Sequence, residues 1–117
     1  MKTRKDAINF CLSLGDSYED YPFHDDNWTI MRHRKNRKMF AAIYERQGHI
    51  WLNLKCAPAD SFFWRSTYSS VIPAYHMNKL HWISVLLPDA PDDVVQFLVN
   101  VSFESTKDKR KRKKEES

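Results

Sequence analysis

The feature that most constrains the fold of this chain is an alternation of apolar and polar residues at 49–55. The heptapeptide HIWLNLK places an isoleucine and two leucines at every second position, which is the period of a strand with one buried face. Two further runs rich in strand formers, 28–32 and 38–45, precede it and are separated by short polar segments. Three short strands joined by tight turns predict an antiparallel meander.

Three other segments carry the apolar spacing and the end signals of helices. The first is predicted over residues 3–15, where Thr3 lies three residues before Asp6 in the pattern of a capping box. The second is predicted at 58–68. The third is predicted over 91–107, because its first residue is a proline, which favours the first turn of a helix.

The remaining segments complete a predicted order of αβββαββα. Residues 16–27 are interpreted as an acidic loop, and 73–77 and 81–87 as two strands that pair around 78–80. This order predicts an α+β fold of two layers, in which three helices cover one face of a five-stranded, mainly antiparallel sheet. We expect one domain over residues 1–106, since a chain of 117 residues is too short for two compact domains.

The net charge of +4 is concentrated at the C-terminus. Residues 107–117 hold seven basic and three acidic residues, so residues 1–106 hold twelve of each and are neutral overall. We predict that 107–117 is a disordered basic tail. Within the neutral part, 16–26 carries five acidic residues and 32–38 carries five basic residues. We therefore expect an acidic end and a basic end, unless these two segments meet and neutralise each other.

Composition excludes several classes of protein. Two glycines are too few for a glycine-rich phosphate loop, and the chain has no run of roughly 18 apolar residues that would span a membrane as a helix. The first turns of the chain lack the apolar stretch and cleavage site of a signal peptide. Cys11 and Cys56 are too few for a disulfide framework and too isolated for a zinc site. We expect a cytoplasmic monomer that holds no metal and no cofactor.

The string VIPAYHMNKLHWISVLL at 71–87 closely resembles a signature segment of the MmcQ/YjbR family. The shorter strings YPF at 21–23, KMFA at 38–41 and WLNLK at 51–55 resemble the same family in the same order. The resemblance covers roughly residues 4–104. It implies a small bacterial α+β domain with a fold similar to type III secretion chaperones and to the frataxin-like fold. It also implies a double-wing arrangement, from which the family takes its usual DNA-binding label by analogy of fold.

Residues 34–37 are predicted to form a basic turn between the strands 28–32 and 38–45. This turn leads to the first functional hypothesis, which is weak and largely sequence-nonspecific binding of DNA or single-stranded nucleic acid. Arginine and lysine side chains would neutralise phosphates and release counterions, with little reading of bases. Trp28, Trp51 and Trp64 would stack on bases if exposed, although aromatic residues in a small domain are more often core. The turn also fits a solvated hairpin tip whose charges keep it soluble. The predicted contacts are Arg32, Arg34, Lys35, Arg37, Lys38, Lys79, Lys109, Arg110, Lys111 and Arg112.

Two alternatives to nucleic-acid binding remain open. One is a protein-interaction or chaperone-like adaptor, which would use an aromatic face of the sheet or the acidic segment 16–26. The other is a small-molecule or base-binding pocket at the polar, aromatic hairpin 75–82. The hairpin also fits a tight turn whose histidine and asparagine side chains bond the backbone, with its Tyr and Trp in the core. The candidate pocket residues are Asn53, Lys55, Tyr75, His76, Asn78, His81 and Trp82.

Enzymatic chemistry has little support in the sequence. No spacing singles out a nucleophile, a base and a residue that orients the base, and the family resemblance brings no catalytic motif. Cys56 follows Lys55, which would lower the pKa of the thiol if the thiol were exposed. Cys11 lies on the apolar face of the first predicted helix and is expected in the core. We therefore expect that the chain is not an enzyme.

Overall fold

The computed structural model describes residues 1–107. Most of the predicted tail, and with it the candidate contacts Lys109, Arg110, Lys111 and Arg112, lies outside the described residues. The described residues form three helices and six strands in the order α1, β1–β4, α2, β5, β6, α3. These elements are α1 (Arg4–Ser13), β1 (Ser17–Asp20), β2 (Thr29–His33), β3 (Met39–Arg46), β4 (His49–Lys55), α2 (Pro58–Thr67), β5 (Val71–Pro73), β6 (Trp82–Leu86) and α3 (Asp92–Thr106).

The strands form one sheet in the order β1-β2-β3-β4-β6-β5, and each strand is antiparallel to its neighbours. The α+β class, the three helices and the antiparallel sheet are therefore confirmed. The capping box is also present, because the hydroxyl of Thr3 accepts a hydrogen bond from the backbone N–H of Asp6 while the Asp6 carboxylate accepts one from Thr3. The predicted number of five strands is wrong.

The sixth strand, β1, lies where the sequence predicted an acidic loop. It is an edge strand of four residues, paired with β2 from Ser17 opposite His33 to Asp20 opposite Ile30. The sequence predicted a loop here because β1 contains acidic residues, which are depleted from strands. An edge strand tolerates them, since it needs one bonded neighbour and its outer side remains in water.

The hairpin near residue 78 is shorter than predicted. The strand predicted over 73–77 is wrong except at its first residue, because β5 is Val71–Pro73 and 74–81 is a loop. Val71 pairs with Val85 and Pro73 with Ile83. The ladder ends because the backbone of Tyr75 bonds to side chains of other strands, as described below.

The two faces of the sheet are covered differently. On the helix-covered face, alternate residues of β3, β4 and β6 pack with side chains of α1 and α3 in one apolar cluster, against which Trp64 of α2 also packs. A bulge between β2 and β3 places both Phe40 and Ala41 in this cluster, because Met31 pairs with Ala41 whereas Arg32 pairs with Met39. The opposite face, which we call the loop-covered face, carries Tyr44, Asn53 and Ser84 and lies outside that cluster.

A histidine is enclosed on the helix-covered face. The ring of His33 packs 4.5 Å from the ring of Phe103 and 5.0 Å from that of Phe40, centroid to centroid. Its Nε2 atom lies 2.8 Å from the hydroxyl of Thr106. Burial lowers the pKa of His33 below its ordinary value, because the charged imidazole is poorly solvated there.

This burial predicts that the free energy of unfolding falls as the pH drops from about 7 to about 5, since the unfolded chain takes up a proton at His33 that the folded chain resists. In His33→Gln, stability at neutral pH falls, but its dependence on pH in this range becomes shallower. Urea unfolding at several pH values measures both quantities. His49→Gln, at an exposed position, is the matched control and should keep the wild-type slope. Equal slopes in the two variants would contradict this role for His33.

Candidate functional site

Two loops, 21–28 and 74–81, cover the loop-covered face, and each places one aromatic ring against Tyr44 of β3. Trp28 stacks on Tyr44 at 4.3 Å between centroids and 17° between planes. Tyr75 lies 5.7 Å from Tyr44 at 21°. The three nearly parallel rings form an aromatic stack that joins both loops to the sheet.

The loop 74–81 is anchored by Asn53 of β4 and Ser84 of β6. The amide nitrogen of Asn53 donates to the carbonyl of Tyr75 at 2.8 Å, and the hydroxyl of Ser84 accepts from the N–H of Tyr75 at 2.9 Å. The amide oxygen of Asn53 accepts from the hydroxyls of Tyr44 and Ser84. Asn53, Ser84 and Tyr44 are fully buried, and burial raises the pKa of the Tyr44 phenol. The backbone of Tyr75 thus has polar partners without a neighbouring strand.

The loop 21–28 is anchored by Asn27. Its amide donates to the carbonyl of Glu45 at 3.1 Å and accepts from the N–H of Glu45 at 2.9 Å, in the manner of a strand partner. The guanidinium of Arg4 adds hydrogen bonds to the carbonyls of Asn27, at 2.7 Å, and Ile43, at 3.0 Å. Arg4 at the start of helix α1 therefore links the loop 21–28 to strand β3.

Between the loops and the sheet lies a cavity of about 480 Å³. Strands β2 and β3 supply its apolar base, and the bulge contributes by turning Met39 towards this side. The two loops supply the remaining side chains. The lining residues are Phe23, Asp25, Trp28, Ile30, Met39, Ala42, His76 and Met77. The volume and the mainly apolar lining with few polar groups are typical of small-molecule sites.

His76 reaches the cavity through an unusual backbone conformation. Its φ is 60°, in the left-handed region that costs residues other than glycine about 1–2 kcal/mol. The imidazole lies 4.0 Å from the ring of Tyr75 and 6.4 Å from that of Trp28. The bonds to the backbone of Tyr75 hold the adjacent residue in place, so the loop maintains this conformation despite its cost.

The residues of the predicted pocket divide between lining and support. His76 lines the cavity, whereas Tyr75 and Asn53 build its frame. Asn78 forms a turn, because its side-chain oxygen accepts from the N–H of Leu80 at 2.9 Å. Lys55 and Trp82 face each other in the ladder of β4 and β6 and are half-buried, and His81 is exposed.

Sequence reasoning missed the other side of the cavity. Phe23 and Asp25 lie in the segment interpreted as an acidic loop, and Trp28, named only as a base-stacking candidate, begins the next predicted strand. All three are about fifty residues from His76 in sequence. The sequence feature that came closest to indicating this side of the cavity was the string YPF at 21–23, which entered only as part of the family resemblance. Spacing along one chain does not reveal that this loop meets 74–81.

The acidic and basic segments do meet, because β1 pairs with β2. The Nε atom of Arg32 lies 2.8 Å from a carboxylate oxygen of Asp20, and that of Arg34 lies 3.0 Å from one of Asp16. The turn itself has the predicted position, and Arg37 within it has a φ of 61°. Four predicted contacts are exposed and form no ion pair within residues 1–107, namely Lys35, Arg37, Lys38 and Lys79.

Both cysteines are buried. Burial raises the pKa of the Cys11 thiol to about 12, and burial together with the nearby Asp60 raises that of Cys56 to about 11. The condition for a thiolate at Cys56, exposure beside Lys55, is therefore not met. Residues 1–107 contain no group of three His, Cys, Asp or Glu side chains placed to bind a metal ion, and none of their helices is long and apolar enough to cross a membrane.

A second apolar surface lies on α2 and α3. Phe62, Phe63 and Phe97 are exposed, and the latter two border a hollow of about 260 Å³ with Trp64. The adaptor hypothesis relied instead on the sheet face and the acidic segment. The structure covers that face with loops and engages two of the acidic side chains in ion pairs.

A family model described as YjbR matches residues 12–105. The chain is 33% identical to the uncharacterised protein YyaQ of Bacillus subtilis over 119 residues, which covers 92% of this chain and all of that protein. It is 26% identical to the uncharacterised protein YjbR of Escherichia coli over 103 residues, covering 87% of this chain and 85% of that one.

Solved structures of similar sequence share the fold of this chain. A crystal structure of a Pseudomonas syringae protein superposes with a TM-score of 0.81 at 26% identity, covering 90% of this chain and 99% of that one. A Deinococcus radiodurans protein with a DUF419 domain superposes with a TM-score of 0.78 at 28% identity, covering 88% of this chain and 77% of that one. The sequence match over 12–105 and the shared fold together confirm the resemblance, and the chain belongs to the YjbR family.

Proposed function

We propose that this protein binds a small molecule with an apolar body in the cavity beneath the loops 21–28 and 74–81. The observation that supports this most directly is the cavity itself, about 480 Å³ in volume, on the sheet face opposite the one on which the helices of residues 1–107 pack. Its base is apolar, and Asp25 and His76 are the polar side chains available to orient a ligand.

The construction of the loop walls supports the same proposal. Asn53, Ser84 and Asn27 hold both loops in place before any ligand arrives, and preorganised walls lower the entropy cost of binding. The positive φ of His76 adds a conformational cost within this wall of the cavity. Such strain is common where a side chain must point at a ligand.

A second candidate function is weak, sequence-nonspecific nucleic-acid binding. Lys35, Arg37 and Lys38 lie at the turn between β2 and β3, and Lys79 lies in the loop before β6. The end of β2 and the starts of β3 and β6 lie at the same end of the antiparallel sheet, so these four exposed cations share one end of the molecule. The ion pairs of Arg32 and Arg34 reduce the number of side chains free for phosphates.

The cavity proposal predicts that filling the cavity abolishes binding. Met39→Trp places a larger side chain in the cavity, whereas Leu80→Trp places one at an exposed position of the loop 74–81 outside the lining. A library of small apolar and aromatic compounds is screened by thermal shift and by amide chemical shifts. Ligands that raise the Tm of the wild type should raise that of Leu80→Trp but not of Met39→Trp. An absence of any ligand for the wild type would refute the proposal.

The strain at His76 predicts that a glycine at this position is more stable than an alanine, which is the reverse of the usual order. Glycine adopts a positive φ without steric cost and alanine does not, so His76→Gly should be about 1 kcal/mol more stable than His76→Ala. Both variants should bind cavity ligands more weakly than the wild type. Urea unfolding measures the first difference and ligand titration the second. An alanine variant at least as stable as the glycine variant would show that His76 carries no strain.

The nucleic-acid proposal predicts that the salt dependence of DNA affinity arises from the basic residues of the turn between β2 and β3. Fluorescence anisotropy of labelled single- and double-stranded DNA would compare the full chain with a double variant, Arg37→Ala and Lys38→Ala. Each lost phosphate contact to duplex DNA should reduce the log–log salt slope by about 0.9. The matched control is Lys2→Ala with Lys5→Ala, two exposed lysines near the N-terminus. Equal losses in both double variants, or binding that disappears when 108–117 are removed, would assign the affinity to net charge or to the tail.

A further inference from the structure

We propose that the ligand of this cavity is a cation with an apolar shell, of the quaternary or methylated ammonium class. This inference rests on the proposed function, and it adds the charge and the chemical class of the ligand. It follows from three features of the cavity: the sign of its one charged side chain, the arrangement of its rings and an existing cation–π contact beside it.

The first feature is the sign of the charge. Among the cavity-lining side chains in the described part of the chain, Asp25 is the acidic one, and neither lysine nor arginine is present. Asp16 and Asp20 of the same acidic segment are engaged with arginines, but Asp25 forms no ion pair within residues 1–107. An apolar cavity with a carboxylate at its edge favours a cation and disfavours a phosphate. The lining of the cavity therefore differs in charge from the basic end considered for nucleic acid, although Lys38 precedes Met39 and Lys79 lies in the same loop as His76.

The second feature is the arrangement of the rings. One side of the Trp28 indole is stacked on Tyr44, and Trp28 also lines the cavity. Phe23 is inclined at 78° to the indole with 6.5 Å between centroids, and His76 at 50° with 6.4 Å. Rings inclined to one another around a shared space are the means by which proteins hold alkylated ammonium groups, since each ring can present the negative face of its π system to the cation.

The third feature is a cation–π contact within the same aromatic stack. The guanidinium carbon of Arg46 lies 4.1 Å from the centroid of Tyr75. Tyr75 and Trp28 both lie against Tyr44, with 6.4 Å between their own centroids and 7° between their planes. The stack thus already binds one cation at Tyr75, outside the cavity lining, and Trp28 offers a second aromatic surface inside it.

The size of the cavity refines the ligand class. A small, strongly hydrated metal ion would need several oxygen ligands, and residues 1–107 offer no suitable cluster. A weakly hydrated alkylammonium loses little on leaving water and packs its methyl groups against rings. About 480 Å³ also leaves room for an apolar body beside Ile30 and Ala42.

Choline and its uncharged isostere 3,3-dimethylbutan-1-ol provide the test, because they differ mainly in the positive nitrogen. Amide and indole chemical shifts of the full chain are followed during titration with each. We expect choline to bind about tenfold more tightly than the alcohol, as a cation–π contact with a partly desolvated cation would give. Asp25→Asn should remove most of this difference, while its Oδ1 can still accept from the N–H of Asn27. Asp26→Asn, an exposed neighbour outside the lining, is the matched control.

Trp28→Leu should also abolish the preference for choline, and Asp25→Asn remains decisive if that variant fails to fold. Equal affinities for choline and the alcohol would overturn the inference and leave the proposed function standing. So would binding of uncharged compounds from the library without any response to choline. If no compound of either kind shifts the signals of the cavity residues, the proposed function and the inference both fail.

Discussion

The arrangement of the loop-covered face depends on the side-chain amide of Asn53. Buried in β4, it bonds to Tyr44 on one neighbouring strand, to Ser84 on the other and to the carbonyl of Tyr75 in the loop above. A buried amide without partners would destabilise the sheet, so the loop and the sheet satisfy each other. Asn27 does the same for the second loop through the backbone of Glu45. The side chains of two asparagines thus provide hydrogen bonds that a neighbouring strand or helix would otherwise provide.

These anchors explain why the two faces of one sheet differ in chemistry. On the helix-covered face, apolar side chains from α1, α3 and five strands form the core, and Trp64 of α2 packs against it. The buried polar side chains of this face, His33, Ser102 and Thr106, bond to one another or to the backbone. On the loop-covered face, irregular backbone must find polar partners, and rings rather than aliphatic chains fill the space between loop and strand. Loops held at a few points leave space between them. The cavity is a consequence of that construction, and the proposed ligand site lies there.

The distribution of charge could be predicted from the sequence only in part. The sequence identified an acidic and a basic segment and left open whether they meet. Their meeting required β1, an edge strand whose acidic composition disguised it, to pair with β2 and bring Asp20 beside Arg32. The same pairing weakens the interpretation of 32–38 as a basic surface for phosphates, because two of its arginines are paired with carboxylates. The family relatives share the fold and are described as uncharacterised, so the charge layout of this chain, rather than the label, bears on its function.

Reading along the chain was enough to predict the α+β class, the helix positions to within a few residues, the meander of β2 to β4 and the family, because each depends on periodicity, capping residues or short strings of residues. It also marked His76 and its neighbours as unusual for a turn. The tertiary structure alone decided that Asn53 is an anchor, that His76 lines a cavity with a positive φ, and that Phe23, Asp25 and Trp28 lie across from it. Those relations join segments about fifty residues apart, and no local pattern encodes which two loops will cover the same face of a sheet.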